Sequence, residues 1–365
     1  MERSKLWGEM IEMTESAVRT APAAGPGSAS PPLRVAVIGV GRIGRMHAEL
    51  LAHRVPGLAL ASVYDAVPDV ARTVGAELGA DVPETVDEIL SASDVDAVAI
   101  CSSTPTHAPL IERAAHAGKA ILCEKPVSLD LAELDRALAA VTAAGVPFQI
   151  GFNRRFDPAH QAVRDAVAAG EVGDPHLARI SSRDPAAPPL EYARVSGGLF
   201  LDMTVHDFDM ARYVTGSEVT EVYATGGVRV TPGLHEFGDI DTAVVTLTHE
   251  NGCLTVIDNS RQAVYGYDQR VEVFGSAGAA ASENPLAHTT VIRDAGGSRL
   301  AAMPYFFIER YTASYVRQWE AFAAAVSAGV TPPLSLSDAR APLVIGLAAL
   351  TSLRERRPVA VGEVA

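Results

Sequence analysis

Apolar and polar residues alternate in two different ways along this chain. From Leu33 to residue 150, short apolar or β-branched runs are separated by segments with the three-to-four residue period of a helix. The runs predict strands at residues 34–38, 58–64, 96–100, 120–123 and 147–151. The segments between them predict helices ending near residue 53 and covering residues 69–78, 84–91, 105–117 and 130–144. Strands that alternate with helices predict a doubly wound parallel Rossmann sheet with right-handed crossovers.

After residue 151 the pattern becomes a series of strands followed by helices. Asp157 and Pro158 predict the N-cap and first turn of a helix to residue 169. Alternating runs predict strands at residues 176–182, 219–230, 240–248, 254–259 and 269–274. Aromatic and apolar side chains then recur every three or four residues, at Tyr311, Tyr315, Trp319, Phe322 and Val326. This stripe predicts a core-facing helix, and residues 338–356 predict a closing one.

Two domains are therefore predicted after an N-terminal leader. Residues 33–150 form the α/β Rossmann domain. Residues 151–365 form an α+β domain with a large, mostly antiparallel open sheet. Residues 1–32 are rich in Ala, Pro, Gly and Ser and lack the apolar core of a signal peptide, so they predict a disordered leader.

Composition narrows the classes of partner. A net charge of -14 disfavours a nucleic-acid partner, because phosphate binding needs a basic surface. Three widely spaced cysteines suggest neither a disulfide framework nor a zinc site and favour a reducing cytoplasm. No window carries eighteen uncharged apolar residues; the longest run, residues 137–153, is interrupted by Gly145, Pro147 and Gln149. A membrane partner is not expected.

The first predicted strand runs into a glycine motif. Gly39, Gly41 and Gly44 are spaced as G-x-G-x-x-G between a strand and a helix. This spacing predicts a tight turn, a close approach of a pyrophosphate to the backbone, and close packing of helix on strand. Asp65 ends the second strand, where a carboxylate accepts from the ribose 2′-hydroxyl and repels a 2′-phosphate. The cofactor is therefore predicted to be NAD rather than NADP.

Three further side chains suggest proton chemistry. Lys125 follows the fourth strand, at the sheet edge where ligands bind, and Pro126 restricts the backbone beyond it. Asp202 and His206 lie four residues apart in residues 196–213, which we predict to be one helix, so they share a face. His206 is the predicted base, with Asp202 orienting it or binding a hydroxyl. The alternatives are a surface ion pair, or a metal site that includes Asp209.

Taken together, these motifs resemble the Gfo/Idh/MocA family of NAD(P)-dependent oxidoreductases. The resemblance runs from about Leu33 to the C-terminus and includes GVGRIG, EKP at residues 124–126, GFNRRFD at residues 151–157 and the D-x-x-x-H of Asp202 and His206. The segments at residues 181–213 and 265–276 are most similar to its inositol 2-dehydrogenase branch. The leader matches nothing in the family pattern.

The resemblance implies a site and a reaction. Lys125, Asp202 and His206 take the catalytic positions, and the reaction is oxidation of myo-inositol by NAD to 2-keto-myo-inositol. The predicted cofactor contacts are Gly39, Gly41, Arg42, Ile43, Gly44, Asp65, Ser103, Thr104, Pro105, His107, Glu124 and Lys125. The predicted substrate contacts are Lys125, Asn153, Asp184, Asp202, His206, Tyr265 and Tyr267. No resident metal is predicted, and a homotetramer formed through the open sheet is expected.

Two other functions remain open at this stage. The same machinery could act on another polyol or sugar, such as scyllo-inositol, glucose or an anhydro-sugar. Alternatively, the chain could be a non-catalytic regulator that senses NAD and binds other proteins. A regulator has no need for Lys125, Asp202 and His206 together, which favours an enzyme.

Overall fold

The computed structural model describes residues 31–365, so all of the predicted leader except Pro31 and Pro32 lies outside the described residues. The first domain contains five strands: β1 (Leu33–Ile38), β2 (Leu58–Tyr64), β3 (Ala97–Ile100), β4 (Ala120–Cys123) and β5 (Phe148–Ile150). Its helices are α1 (Arg42–His53), α2 (Pro68–Leu78), α3 (Val86–Ser91), α4 (His107–His116) and α5 (Leu131–Ala144). Each predicted strand is present.

The five strands form one parallel sheet in the order β2-β1-β3-β4-β5. A single parallel bridge joins Ser62 of β2 to Asp81, outside the edge of the sheet. This bridge lies where the third strand of a dinucleotide-binding sheet is expected. The strand order reverses between β1 and β3, which places a crevice at the carboxyl ends of these two strands.

The second domain begins with α6 (Pro158–Ala168), and Asp157 caps it by accepting from the backbone N–H groups of Ala159 and His160. The next elements are β6 (Pro175–Arg183), α7 (Leu190–Ala193), α8 (Val205–Thr215), β7 (Val219–Gly227), β8 (Thr242–His249), β9 (Leu254–Ser260), β10 (Asp268–Gly275) and β11 (Ala279–Ser282). A small hairpin, β12 (Ile292–Asp294) and β13 (Gly297–Arg299), precedes α9 (Phe307–Ala328), α10 (Leu336–Glu355) and β14 (Val359–Ala360).

Seven of these strands form a second sheet in the order β11-β10-β6-β9-β8-β7-β14. Only the pairing of β6 with β9 is parallel, so the sheet is mostly antiparallel, as predicted. One face packs on α8 and α10 through residues such as Ile180, Val245 and Ile257, which are at most 2% exposed. The other face is open.

The last two long helices join the domains. Tyr311, Tyr315, Trp319 and Phe322 of α9 are buried against the parallel sheet, which confirms the prediction of a core-facing stripe. Helix α10 is long and apolar enough to cross a membrane by those criteria alone. However, Leu343 packs in the core of the first domain and Ile345 in that of the second. We therefore interpret α10 as a core helix.

Two predicted boundaries are wrong for identifiable reasons. Residues 196–213 are not one regular helix, because Leu199–Met203 form a π-helical turn before α8 begins at Val205. Strand β7 ends at Gly227 rather than residue 230. The backbone N–H groups of Arg229 and Val230 donate to the carboxylate of Asp241 instead of continuing the sheet.

Candidate active site

The glycine turn between β1 and α1 has the form that a pyrophosphate requires. Gly39 has φ +89°, and a Cβ there would lie 2.5 Å from the backbone of Ser102. A Cβ on Gly44 would lie 1.8 Å from the Gly39 carbonyl oxygen, so only glycine permits this packing. No atom of residues 31–365 outside the turn itself lies within 4 Å of a Cβ built on Gly41, which leaves that side of the turn open. The residues therefore fit a dinucleotide at the N-terminus of α1.

Asp65 stands beside this turn at the end of β2. Its Oδ2 accepts from the N–H of Val40 and its Oδ1 from the N–H of Val67, both at 2.9 Å. These bonds fix the carboxylate next to the turn, and each oxygen keeps a lone pair for another donor. Asp65 is thus both a turn residue and a group placed to accept from a ribose hydroxyl.

The loop after β3 forms the other wall of the crevice. Ser103 precedes a 3₁₀ turn at Thr104–Thr106, which leads directly into α4. The ring of His107 is buried, with Nδ1 2.8 Å from the Pro126 carbonyl oxygen and Nε2 2.9 Å from that of Ser102. Both nitrogens are occupied, so His107 braces the loops around the cofactor site and has no free nitrogen to offer the cofactor.

The side chains of Arg42 and Ile43, the two residues between Gly41 and Gly44, lie in different surroundings. The guanidinium of Arg42 lies 5.5 Å from the ring centroid of Phe306, in the segment that leads into α9. Ile43 packs into the core between α1 and the sheet. Arg42 is therefore exposed beside the Phe306 ring, whereas the Ile43 side chain packs inward.

Glu124, at the end of β4, is linked to a buried hydrogen-bond chain. Trp319 Nε1 donates to His47 Nδ1 at 2.9 Å, and His47 Nε2 lies 2.9 Å from Glu124 Oε1. An indole N–H only donates, so His47 must carry its proton on Nε2 and donate it to Glu124. The chain fixes the backbone immediately before Lys125.

Lys125 reaches from the parallel sheet to the second domain. Its Nζ donates to the Asp202 carbonyl oxygen at 2.7 Å and to Asp202 Oδ1 at 3.3 Å. The peptide bond between Lys125 and Pro126 is cis. The structure thus brings together two residues that are 77 positions apart in the sequence.

The Asp202 carboxylate is surrounded by donors. Besides Lys125, Oδ1 accepts from the Tyr192 hydroxyl at 2.9 Å, and Oδ2 accepts from Arg261 Nη2 at 3.1 Å. Burial alone would raise the pKa of Asp202, but the charges of Lys125 and Arg261 outweigh it and hold that pKa below its usual range. Asp202 is therefore ionised at neutral pH, and it does not hydrogen-bond to His206.

His206, in the first turn of α8, is a neutral imidazole. Burial lowers its pKa well below the usual value, and the charges of Lys125 and Arg154 lower it further. Its Nδ1 is completely buried without a hydrogen-bond partner among residues 31–365. We therefore expect Nε2 to be the nitrogen that meets a substrate hydroxyl. The ring packs edge-on against Phe152 at a centroid distance of 5.8 Å.

The predicted polyol contacts divide into two groups. Asn153 and Tyr267 are buried and Asp184 is half-buried: Asn153 is 2% exposed and its Nδ2 has no hydrogen-bond partner among residues 31–365, and Tyr267 OH lies 3.4 Å from Arg154. Burial raises the pKa of Asp184 to about 6 against the opposing charge of Arg261. The Tyr265 hydroxyl instead accepts from Arg183 and donates to Asp268, each at 2.8 Å. This hydroxyl is therefore already occupied by two protein side chains.

Arg154 and Arg155 serve the fold rather than a phosphate. Arg154 pairs with the buried Asp207 at 2.6 Å, and Arg155 pairs with Asp209 at 2.6 Å. The second of these pairs occupies Asp209, which weakens the metal alternative. No group of three metal-binding side chains is found among residues 31–365.

Comparison with known proteins identifies the architecture. Residues 33–152 match the model of an oxidoreductase family with an NAD-binding Rossmann fold, and residues 160–281 match the GFO/IDH/MocA C-terminal domain. The chain belongs to the GFO/IDH/MocA family. It is 47% identical to the myo-inositol 2-dehydrogenase of Thermotoga maritima over 91% of this chain and 99% of that protein.

Two more members of the family cover the same region. The inositol 2-dehydrogenase of Rhizobium meliloti is 42% identical over 90% of this chain and 99% of its own. The scyllo-inositol dehydrogenase of Lactobacillus casei, solved with NAD(H) and scyllo-inositol, is 28% identical with a TM-score of 0.85, over 91% of this chain and 99% of that one. This GFO/IDH/MocA protein is therefore an NAD-dependent oxidoreductase in fold and family.

Sequence reasoning missed Arg261 and Tyr192, although both touch Asp202. Arg261 directly follows β9 and is 4% exposed, so its charge is buried within the site. Tyr192 lies on the short helix α7 and is 49% exposed. Neither belongs to a motif with a recognisable spacing. An arginine inside an otherwise strand-like segment, at the carboxyl end of β9, was the only available signal.

Proposed function

We propose that this protein oxidises a secondary hydroxyl of a cyclic polyol with NAD, and that its substrate is myo-inositol and its product 2-keto-myo-inositol. The single observation that carries this proposal is the convergence of Lys125, Asp202 and His206 at the carboxyl edge of a dinucleotide-binding sheet. The names of the two relatives at 47% and 42% identity supply the substrate class.

The side chains divide the work of proton transfer. His206 is neutral, so its free nitrogen can accept the hydroxyl proton as the carbon becomes a ketone. The Lys125 ammonium is positioned to stabilise negative charge on the reacting oxygen. Asp202 stays ionised and can accept from a second hydroxyl. NAD, when bound, supplies the hydride acceptor.

The polar side chains predicted to contact the substrate suit a ring that carries many hydroxyls. Asn153 offers an amide N–H₂ that has no partner in the described part of the chain, Asp184 and Asp202 offer carboxylate oxygens, and Tyr267 offers a phenol. A polyol replaces hydrogen bonds to water only where such partners surround it. A regulator that senses NAD alone would not need a half-buried imidazole beside a lysine, with a buried Nδ1 that has no hydrogen-bond partner within residues 31–365.

The second candidate is scyllo-inositol, because a relative of this chain was solved with that isomer and NAD(H). A panel of myo-, scyllo- and chiro-inositol, glucose and an anhydro-sugar, assayed for NADH formation with NAD and with NADP, separates the two. We expect the highest kcat/KM with myo-inositol and NAD. Higher kcat/KM on scyllo-inositol or glucose would replace the substrate assignment, and no oxidation of any compound would overturn the enzyme assignment.

We further propose that the protein is a homotetramer of the cytoplasm. Four strands of the second sheet, β7, β8, β9 and β10, carry exposed apolar side chains on its open face: Tyr223 (40% exposed), Val244 (44%), Leu254 (49%) and Phe274 (49%). Exposed apolar side chains on four strands of one sheet favour burial of this face against a second copy. The three cysteines are buried free thiols, which suits a reducing compartment.

A further inference from the structure

Arg261 lies between two acids of the site. Its Nη2 is 3.1 Å from Asp202 Oδ2 and its Nη1 is 3.5 Å from Asp184 Oδ2, while its backbone N–H donates to the Asp241 carbonyl oxygen. No other carboxylate among residues 31–365 forms an ion pair with this guanidinium. The side chain is 5% exposed. Asp239 also acts on the guanidinium by its charge, but within the described residues the ion pairs of this buried cation are with two predicted substrate-binding acids, which suggests a role in the site itself.

We propose that Arg261 is a positioning residue for polyol oxidation: it spans Asp202 and Asp184 and fixes these two carboxylates as acceptors for two different hydroxyls of one ring. The inference rests on the function proposed above. A planar guanidinium has N–H donors on separate nitrogens and can serve two carboxylates at once, which the compact ammonium of lysine cannot do with the same geometry.

The arrangement also sets the charge state of the two acids. Asp202 faces Lys125, Arg261, Tyr192 and Asp184, and Asp184 faces Arg261, Asp202, Arg154 and Asp207. Burial raises the pKa of Asp184 to about 6, and Arg261 is the largest opposing influence. For Asp202, burial is outweighed by Lys125 first and Arg261 second. Removal of the guanidinium should therefore raise the pKa of both carboxyls.

Loss of the Arg261 charge should change the pH dependence of kcat/KM in a defined direction. A carboxylate must be deprotonated to accept from a hydroxyl, so kcat/KM should fall as the pH drops through the pKa of Asp184, near 6 in the wild type. Loss of an opposite charge at this distance shifts a carboxyl pKa upward by about one unit or more. The acidic limb of the pH profile should then move to higher pH by that amount.

The experiment compares R261Q, R261K and Y192F with the wild type in the kcat/KM for myo-inositol from about pH 5 to pH 9. NADH affinity is measured by fluorescence titration. R340Q is the matched control, because Arg340 pairs with Asp135 at the surface, with 34% and 47% of the two side chains exposed. It removes an ion-paired arginine outside the site and should leave the profile unchanged.

We expect R261Q to lower kcat/KM at neutral pH by about tenfold or more and to move the acidic limb upward by about one pH unit, with NADH affinity within about twofold of wild type. R261K keeps one charge, so its limb should shift less while its KM for myo-inositol rises. Y192F removes a donor to Asp202 without a change of charge and should move the limb less than R261Q does.

Two outcomes would overturn the role of Arg261. One is an R261Q profile lowered equally at every pH, which indicates a purely structural effect. The other, which applies even if R261Q fails to fold, is an R261K variant with wild-type KM and a wild-type acidic limb. A wild-type enzyme that oxidises no inositol would instead overturn the proposed function, so the two failures are distinguishable.

Discussion

Neighbouring groups have opposite effects on the charge states of Asp202 and His206: one stays charged and the other is neutral. Asp202 keeps its charge because Lys125 and Arg261 outweigh the effect of burial, whereas His206 loses its charge because burial and two nearby cations act in the same direction. A fixed acceptor and a neutral base can therefore coexist within one turn of chain. This division of roles follows from their environments and not from their residue types.

Replacement of His206 tests the base. We expect His206→Ala to lower kcat by about two to four orders of magnitude, because proton acceptance by a positioned side chain contributes that much. NADH binding should persist, since the imidazole is assigned to the substrate. Steady-state kinetics and an NADH titration check both parts, with the exposed His53→Ala as the control. Near-normal turnover in His206→Ala would refute the assignment.

Asp65 tests the choice of cofactor. In Asp65→Ser the negative charge that repels a 2′-phosphate is gone, so the ratio of kcat/KM for NAD to that for NADP should fall by about tenfold to a hundredfold. Asp69→Ser, a nearby exposed acid in α2, should leave the ratio unchanged. Wild-type enzyme with equal kcat/KM for the two cofactors would contradict the prediction.

At the level of elements, the π-helical turn at Leu199–Met203 decides where Asp202 points. The Thr204 N–H donates to the Leu199 carbonyl oxygen five residues earlier, which widens the turn. Gly198 begins it with φ +76°, and the next N–H, from Leu199, donates to Asp239 Oδ1. The wide turn leaves the Asp202 carbonyl oxygen free to accept from Lys125. Turns of this kind are frequent at functional sites.

Gly198→Ala tests the dependence of the site on this turn. The added Cβ would lie 2.6 Å from Asp239 Oδ1, at a backbone conformation that L-residues rarely adopt. We expect kcat/KM to fall by about tenfold or more and the protein to lose about 1–3 kcal/mol of stability. Gly227→Ala, where a Cβ meets no atom within 4 Å, is the control. Full activity in Gly198→Ala would show that the turn tolerates the change.

Asp241 performs a purely structural task between β7 and β8. Its fully buried carboxylate accepts from the backbone N–H groups of Arg229, Val230 and Thr231 at 2.7–2.8 Å. Burial alone would raise its pKa, but these three donors outweigh it and lower the pKa below the usual value. Its contribution to stability is therefore present above the unfolded pKa of about 3.9 and is lost as the pH falls through the folded value.

Asp241→Asn should make this pH dependence visible. We expect a loss of about 2 kcal/mol in the free energy of unfolding at pH 7, because hydrogen bonds to a charged acceptor are the stronger kind. The difference from wild type should shrink as the pH falls through the lowered folded pKa of Asp241, because the wild-type carboxyl then becomes protonated as well. Urea unfolding at several pH values measures it, with the surface variant Asp135→Asn as control. A difference independent of pH would contradict the argument.

At the scale of the whole molecule, two sheets share one pair of helices. Helix α9 covers a face of the parallel sheet, and α10 packs in the cores of both domains. These contacts bring the end of β4, which carries Lys125, against the turn that carries Asp202. The second sheet meanwhile leaves its outer face free for another copy of the chain.

The proposed tetramer can be tested on this outer face. Val244 lies on β8, opposite Asp258 of β9, and is 44% exposed. Val244→Glu would place a charge in the proposed interface, so light scattering after size exclusion should show a smaller species than the wild type. Val330→Glu, a 56% exposed position after α9, should not change the mass. A monomeric wild type would refute the tetramer.

The sequence by itself determined the elements and the cofactor turn. Strand runs, the glycine spacing, Asp65 and the cap at Asp157 are local signals, because each depends on the backbone preferences of a few neighbouring residues. The domain boundary at residue 150 is still a prediction, although all strands of the parallel sheet precede it and those of the second sheet follow it.

Only the tertiary structure decided which side chains meet in the site and which of them are charged. Arg261 and Tyr192 meet Asp202 from distant segments, and His107 turns out to brace two loops, because such contacts depend on how the sheets and helices pack. The π-helical turn likewise replaces the regular helix that periodicity predicts. Local patterns fix which elements form, but the ionisation of Asp202 and His206 comes from burial and charges that only the assembled domains bring together.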